Sequence, residues 1–246
     1  MAGLLVRVGI DITDGKWNSP VNRDTNEFVY VPVPEDTQDE CRLRSGYAQM
    51  YNEYTELITA LRKIEVALPN HLENRYMHLD PDFEHLTYGD GRRKGSQIMQ
   101  LSRGDFLAFY AGLKSINPKD HGLVYALIGF FVIDEIVPAE KIPEEHWGKN
   151  AHTRREPLPE ANEIVVRAQH QYSGRLRRCI PIGGWRNRAY RVCPDILEEW
   201  GGLSVNNGYI QRSAVLPAFT KPERFLHWFN RQTPELVKRN NLDGNA

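Results

Sequence analysis

The sequence predicts an α+β fold, with a mixed, largely antiparallel central sheet and flanking helices. Three observations carry that reading. Phe106 to Gly112 and the most apolar segment, Leu123 to Val137, are aromatic and aliphatic runs joined by the turn-rich loop Asn117-Pro-Lys-Asp-His-Gly122, the pattern of an antiparallel hairpin. Tyr47 to Leu68 has helix-favouring composition, with Leu57, Leu61, Ile64 and Leu68 on one face at three- and four-residue spacing. Strand-like and helix-like segments do not alternate regularly, which disfavours a doubly wound parallel sheet.

Taken in order, Leu4 to Ile10 reads as a short buried strand that ends in the turn-rich stretch from Asp11 to Pro20. Loops leaving a strand end are where binding residues tend to sit. Glu27 to Val33 is expected to form a second strand, closed by Pro32 and Pro34, and Pro69 stops the helix of residues 47–68. A polar stretch, His78 to Gly95, precedes a short helix or strand around Ser96 to Leu101, and Gly104-Asp105 turns into the hairpin. Residues 138–163 are loop-rich, Ile164 to Ala168 is a strand, and Asp195 to Trp200 and Pro222 to Asn230 are late helices. No internal repeat appears, and only Asn240 to Ala246 reads as frayed. The expected organisation is one domain over residues 1–246, with a subdivision at residue 95 between an acidic part and a part holding the hairpin and most arginines.

A chain of 246 residues with 41% hydrophobic and 26% charged side chains buries a sizeable core without staples. No apolar run approaches the ~20 residues that a membrane-crossing helix needs. The amino terminus lacks a basic region and meets Arg7 after a short apolar run, so it is not read as a secretory signal. Cys41, Cys179 and Cys193 are odd in number and show no CxxC spacing, which argues for reduced thiols and against a zinc-thiolate site. The expected location is the cytoplasm.

A net charge of -1 conceals an asymmetry. Residues 1–85 hold 8 Lys or Arg against 15 Asp or Glu, net -7, whereas residues 151–191 hold nine Arg and no Lys against three Glu, net +6. Guanidinium groups match phosphate oxygens in pairs and stack on bases, and Tyr172, Trp185 and Tyr190 lie among them. The segment therefore reads either as a nucleic-acid track or as a solvated face paired with the acidic third of the same chain.

Nucleotide-loop, serine-hydrolase, zinc-protease and EF-hand signatures are absent. Gly89-Asp-Gly-Arg-Arg-Lys-Gly95, with Arg92 and Arg93, has glycine-rich character but no evident strand before it, so a surface turn is the leading reading and a phosphate nest the lesser one. In His78-Leu-Asp-Pro-Asp82 an extended chain would put His78, Asp80 and Asp82 on one face. Such a set suits general acid/base work or a divalent metal, while Asp-Pro-Asp is also ordinary turn chemistry. The metal-free version is preferred because the set holds one histidine and Pro81 restricts joint chelation. Asn150, His152 and Arg154 alternate in a third cluster, with proton exchange at His152 and phosphate neutralisation at Arg154 set against a plain surface loop. In the loop after the first strand stand Asp11, Asp14, Trp17 and Asn18, and Arg7 within that strand needs an acidic partner, either Asp11 or a carboxylate of residues 80–82.

The blocks LLVRVGIDITDGKWNSPV, FVYVPVPE, HLDPD, RGDFLAFYAGL and LVYALIGFFVIDEI, in that order, resemble the nucleotide modification associated domain 3 family of bacteria and phages. The resemblance implies a part in systems that make, edit or process hypermodified bases in DNA, with partner proteins of such a system; it does not supply the reaction. Matching positions are Arg7, Gly9, Asp11, Gly15, Ser19, Pro20, His78, Asp80 and Asp82. Trp17-Asn18 and the arginine-rich stretch depart from the pattern and leave substrate choice open. The hairpin also resembles, at fold level, the barrel of PUA-type nucleic-acid readers, which would add a barrel portion.

Combined, these readings place Arg7, Asp11, His78, Asp80 and Asp82 in a catalytic set, with Asp80 or Asp11 as general acid/base or nucleophile. Trp17, Asn18, Arg92, Arg93, Asn150, His152, Arg154, Arg177, Arg178, Trp185 and Arg186 would hold a nucleotide or DNA. The expected function is an enzyme acting on a nucleotide or modified base by group transfer or glycosidic hydrolysis. The alternative is a non-catalytic reader stacking a flipped base on Trp17 or Trp185. A cleft with at least two carboxylates speaks for the enzyme, and an aromatic-walled pocket with few acids for the reader.

Overall fold

The aromatic hairpin is the axis of the molecule. The computed structural model describes residues 1–35, 42–44, 47, 49–156, 163–211 and 215–241. Its nine-stranded sheet consists of β1 (Gly3–Arg7), β2 (Pro20–Val21), β3 (Thr87–Asp90), β4 (Phe106–Ser115), β5 (Leu123–Pro138), β6 (Ile164–Ala168), β7 (Gly174–Arg186), β8 (Ala189–Val192) and β9 (Leu236–Val237). The main path runs β1-β4-β5-β6-β3; β2 lies against β4, and β7 pairs with β5, β8 and β9. β1 and β2 run parallel to β4, and the other pairings are antiparallel. The sheet is mixed and largely antiparallel, as the sequence predicts. It is not closed into a barrel, because β1 and β3 end the path without pairing to each other.

Period-two alternation in β4 divides its side chains between two cores. Leu107, Phe109, Ala111 and Leu113 enter one, while Phe106, Ala108 and Tyr110 enter the other. β5 changes parity midway: Ala126 and Ile128 share a face with Phe131 and Ile133. A bulge opposite Phe109/Tyr110, where Gly129 and Leu127 are the successive partners, inserts Ile128 and shifts the alternation. Gly129 is glycine because the Phe83 ring lies on it; a Cβ there would fall 2.3 Å from Phe83 Cε1.

The helices are α1 (Thr55–Lys63), α2 (Asn70–Glu73), α3 (Arg92–Ile98), α4 (Pro194–Glu199) and α5 (Pro222–Arg231). Proline in the first turn of α4 and α5 removes a donor that has no partner there anyway. Trp200 after α4 and Phe225, Trp228 and Phe229 of α5 cover the second core face, each burial contributing ~1.5–3 kcal/mol. Leu57 and Leu61 of α1 join Val29, Val31, Tyr51 and Leu72 in a third cluster.

Four departures from the sequence reading have local causes. Residues 27–33 are mostly extended backbone rather than strand; Phe28 makes a single bridge to Val21 and Val33–Pro34 pairs with Met77–His78, because Pro32 and Pro34 lack the N–H a longer ladder needs. The helix of residues 47–68 shrinks to α1, and Glu65 at φ 58° sends the chain out of helix. Thr87–Asp90 is a strand, so the glycine-rich segment is a strand end and α3 rather than a loose turn. β7 was hidden by its arginines: Arg175 is 2% exposed, with its guanidinium donating to the carbonyls of Arg239, Leu176 and Asn241. No helix among the described residues is long and apolar enough to cross a membrane. Cys179 is buried and Cys193 exposed, both free; Cys41 lies outside the described residues.

Candidate active site

A cleft of about 670 Å³ opens where β1, the loop after it, the 78–80 segment, β3 and the 150–155 loop meet. It gathers Arg7, Asp11, Asp14, His78, Asp80, Asp90, Lys94, His152 and Arg155, with the buried rings of Tyr88 and Tyr110 in its wall.

β1 delivers the first part. Arg7 follows four buried residues, and its Nη2 lies 2.7 Å from Asp11 Oδ2. Arg7 also donates to the Gln211 carbonyl and lies 5.6 Å from the Tyr125 ring centroid. Gly9 at φ +77° bends the chain between them, a conformation that costs glycine little. Asp11 Oδ1 accepts the backbone N–H groups of Thr13 and Asp14 at 2.6 and 2.9 Å, which fixes the loop. The charged residue within the strand thus has the partner that burial requires.

Asp80 is the anchor of the second part. It is 7% exposed, and both of its oxygens accept the Gly89 N–H, at 2.9 and 3.0 Å. Asn150 Nδ2 donates to Asp80 Oδ1 and to Thr87 Oγ1, each at 3.3 Å, while Asn150 Oδ1 accepts the His152 backbone N–H at 2.9 Å. Asn150 therefore ties His152 to Asp80. The His152 ring lies over Gly89, where a Cβ would fall 2.2 Å from its Cδ2.

Each imidazole has a carboxylate behind it. His78 Nδ1 is 2.9 Å from Glu35 Oε1, and His152 Nδ1 is 3.0 Å from Glu163 Oε2, off the hydrogen-bond axis. Arg155 Nη2 donates to Glu35 Oε2 at 2.8 Å and approaches His78 Nδ1 at 3.1 Å. Burial opposes the Glu35 charge, yet His78 and Arg155 lower its pKa to about 2. A carboxylate so held only accepts, so the His78 Nδ1–Glu35 contact needs its hydrogen on Nδ1. Burial likewise opposes charge on His152, but Asp80 and Glu163 outweigh it and raise its pKa to about 10. Burial raises the pKa of Asp90, against the hydrogen bond it accepts from Tyr88 Oη at 2.6 Å. The rings of His78 and His152 meet edge to face, centroids 5.0 Å apart, and His78, Asp80 and His152 each offer a donor atom within 4.8 Å of the others.

The sequence readings divide here. Arg7, Asp11, His78 and Asp80 come together, and Asn150 and His152 join them. Asp82 does not. The chain turns after Pro81 instead of staying extended, and Asp82, 0% exposed, caps that turn by accepting the N–H groups of Glu84 and His85, then pairs with His85 and Arg154. The metal alternative built on His78, Asp80 and Asp82 loses its third ligand for that reason. Arg154 faces Asp82 and the Gly148 carbonyl rather than the cleft. Trp17 packs on the third core cluster, and buried Asn18 donates to the Gly112 carbonyl. Arg92 and Arg93 are exposed on α3, while their neighbour Lys94 lines the cleft.

The arginine track is largely intramolecular. Arg154 and Arg155 pair with Asp82 and Glu35 of the acidic third, Arg177 with Glu235, and Arg186 donates to Val192 and Asn207. Arg178 is exposed on β7, as is Trp185 at 62%, edge-on to Tyr190; neither lines the cleft. Sequence reasoning missed Asp90, Lys94 and Arg155 as cleft residues, and Glu35 and Glu163 as the carboxylates beside His78 and His152. Glu35 lies 43 positions from His78, and Glu163 counted only as a counter-charge; no spacing rule joins them.

No curated protein and no solved structure matches this chain. The family model of nucleotide modification associated domain 3 matches residues 3–212, a span that holds the cleft positions from Arg7 to Arg155, while Val215, Leu216 and Pro217 of the cleft lie beyond it. The chain belongs to the nucleotide modification associated domain 3 family, whose name ties it to a nucleotide-modification system.

Proposed function

We propose that the protein is an enzyme that acts on a nucleotide or a modified base in DNA, by group transfer or glycosidic hydrolysis, within the Arg7–Asp80 cleft. One observation carries this reading: Asp11, Asp14, Asp80 and Asp90 share the cleft with two histidines, and among the described residues its tyrosine walls are Tyr88 and Tyr110. Carboxylates of unlike environment suit proton donation and charge stabilisation at a sugar or transferred group. Burial raises the pKa of Asp90, while Asp11 is bound by Arg7 and by two backbone N–H groups, so the two carboxyls stand in unlike surroundings. Arg7, Lys94 and Arg155 supply the positive charge that a phosphate seeks.

The reader alternative has the exposed Trp185 in its favour, a ring on the β7–β8 hairpin that meets Tyr190 edge-on. The acid-rich cleft outweighs it. The test is a mass-spectrometric survey of nucleosides after incubation of the protein with DNA carrying modified bases. Conversion of one nucleoside that Asp11→Asn slows at least tenfold supports the enzyme. Binding of that DNA with no nucleoside changed, in the wild-type chain, supports the reader.

A further inference from the structure

We infer that His78, Asp80 and His152 form a two-histidine, one-carboxylate site for a divalent transition cation. The inference deepens the proposed function and rests on it only for where substrate would lie. The donors come from separated stretches, residues 78–80 and 152, so no sequence spacing reveals them together. Three features of the arrangement converge.

The first is distance. Asp80 Oδ2 is 3.4 Å from His152 Nε2 and 3.9 Å from His78 Nε2. Both separations exceed an ordinary hydrogen bond. The first equals the ~3.4 Å edge of a tetrahedron with ~2.1 Å metal–ligand bonds, and the second exceeds it by about 0.5 Å.

The second is what stands behind the rings. Metal-binding histidines direct the second ring nitrogen at a carboxylate or carbonyl, which fixes the ring and raises its basicity. Here His78 does so to Glu35, and Glu163 stands 3.0 Å from His152 Nδ1, off the hydrogen-bond axis, on a different element. Glu35 and Glu163 are 3% and 8% exposed, so a buried carboxylate stands beside each imidazole, Glu35 also pairing with Arg155. Asp80 is held in the same way by the Gly89 N–H and Asn150.

The third is openness. The cluster lies in the wall of the cleft, so a bound cation keeps positions free toward Asp11 and Arg7 for water or a substrate oxygen. Two imidazoles and one carboxylate suit iron, zinc or manganese rather than calcium.

The test uses the full chain and the metals alone. After chelator treatment and dialysis against Zn²⁺, Mn²⁺ or, without oxygen, Fe²⁺, elemental analysis and calorimetry should find one equivalent of at least one of them per chain. His152→Gln and Asp80→Asn should abolish stoichiometric binding, and Glu163→Gln should weaken it ~10–100-fold. Asp14→Asn, in the same cleft but outside the donor set, should bind as the wild type does. The Co²⁺ form should show visible bands that His78→Gln alters. A wild-type chain that binds none of the three metals overturns the inference without any variant, and so does retained affinity in a folded His152→Gln protein. Nucleoside conversion by a chain that binds none of these metals overturns this inference and leaves the proposed function standing; metal bound without nucleotide chemistry does the reverse.

Discussion

Replacing Gly89 with alanine adds one methyl group at the point where strand β3, Asp80 and His152 touch. The new Cβ would stand 2.2 Å from His152 Cδ2, 2.7 Å from its Cγ and 2.9 Å from Asn150 Oδ1. Ordinary carbon contacts need ~3.5 Å, so the ring must retreat by roughly 1.3 Å, carrying its Nε2 away from Asp80. Alanine by itself favours a strand interior over glycine by ~0.5–1 kcal/mol, whereas overpacking costs ~1–3 kcal/mol. The net loss is ~1–2 kcal/mol. At ~2–4 °C per kcal/mol for a chain of this size, the melting midpoint should fall by ~2–8 °C. Activity should suffer more, since ~1 Å of misplacement in a catalytic group costs about 100-fold. The assay is a thermal melt with nucleoside conversion, run on Gly89→Ala, His152→Ala and the double variant. Because the two changes compete for one space, the double variant should be ~1–2 kcal/mol less destabilised than the sum of the singles. Additive effects, or a Gly89→Ala protein equal to wild type in both readouts, would refute the placement of His152 over Gly89.

Three further outcomes follow from other contacts. Burial opposes the Asp82 charge, but the His85 and Arg154 contacts lower its pKa overall, and Asp82 raises that of His85. Charge on His85 therefore stabilises the fold fully below its unfolded pKa of ~6.5, and that share is lost as pH rises through the raised folded value. His85→Gln should flatten urea midpoints across that window, and an unchanged profile would contradict the pairing. Gly129→Ala should lower stability by ~2–3 kcal/mol, because its Cβ would meet Phe83 Cε1 at 2.3 Å and the Gly174 carbonyl oxygen at 3.2 Å; a denaturant midpoint equal to wild type would remove Phe83 from that position. Arg177→Ala with Arg178→Ala should leave free-nucleotide affinity unchanged, since neither side chain lines the cleft, and a tenfold weaker nucleotide would show that the β7 arginines belong to the site.

The sequence made the hairpin legible because both of its strands are apolar on two faces, and β6 and the late helices for the same reason of dense, well-punctuated apolar pattern. It concealed β7, where arginine occupies strand positions and one of them, Arg175, is buried on carbonyl oxygens. At the site, Arg7 was legible as a charge in a strand that demanded an acid, and Asp11 answers it at 2.7 Å. His78 and Asp80 came from a single motif. Extending that motif to Asp82 failed because it presumed an extended chain, whereas the turn after Pro81 sends Asp82 inward to Arg154. His152 was legible as a candidate but not as a neighbour of Asp80, since Asn150 and the bare Gly89 surface bring the two together only in the folded sheet. The charge asymmetry likewise proved partly self-directed, with Glu35 and Asp82 taking Arg155 and Arg154.

A crystal structure of the protein with a nucleoside monophosphate tests the proposed active site most directly. The account predicts the nucleotide in the 670 Å³ cleft, its sugar or base within hydrogen-bond reach of at least two of Asp11, Asp80 and Asp90 and its phosphate near Arg7, Lys94 or Arg155. A nucleotide stacked on Trp185 of β7, with those aspartates untouched, would contradict it.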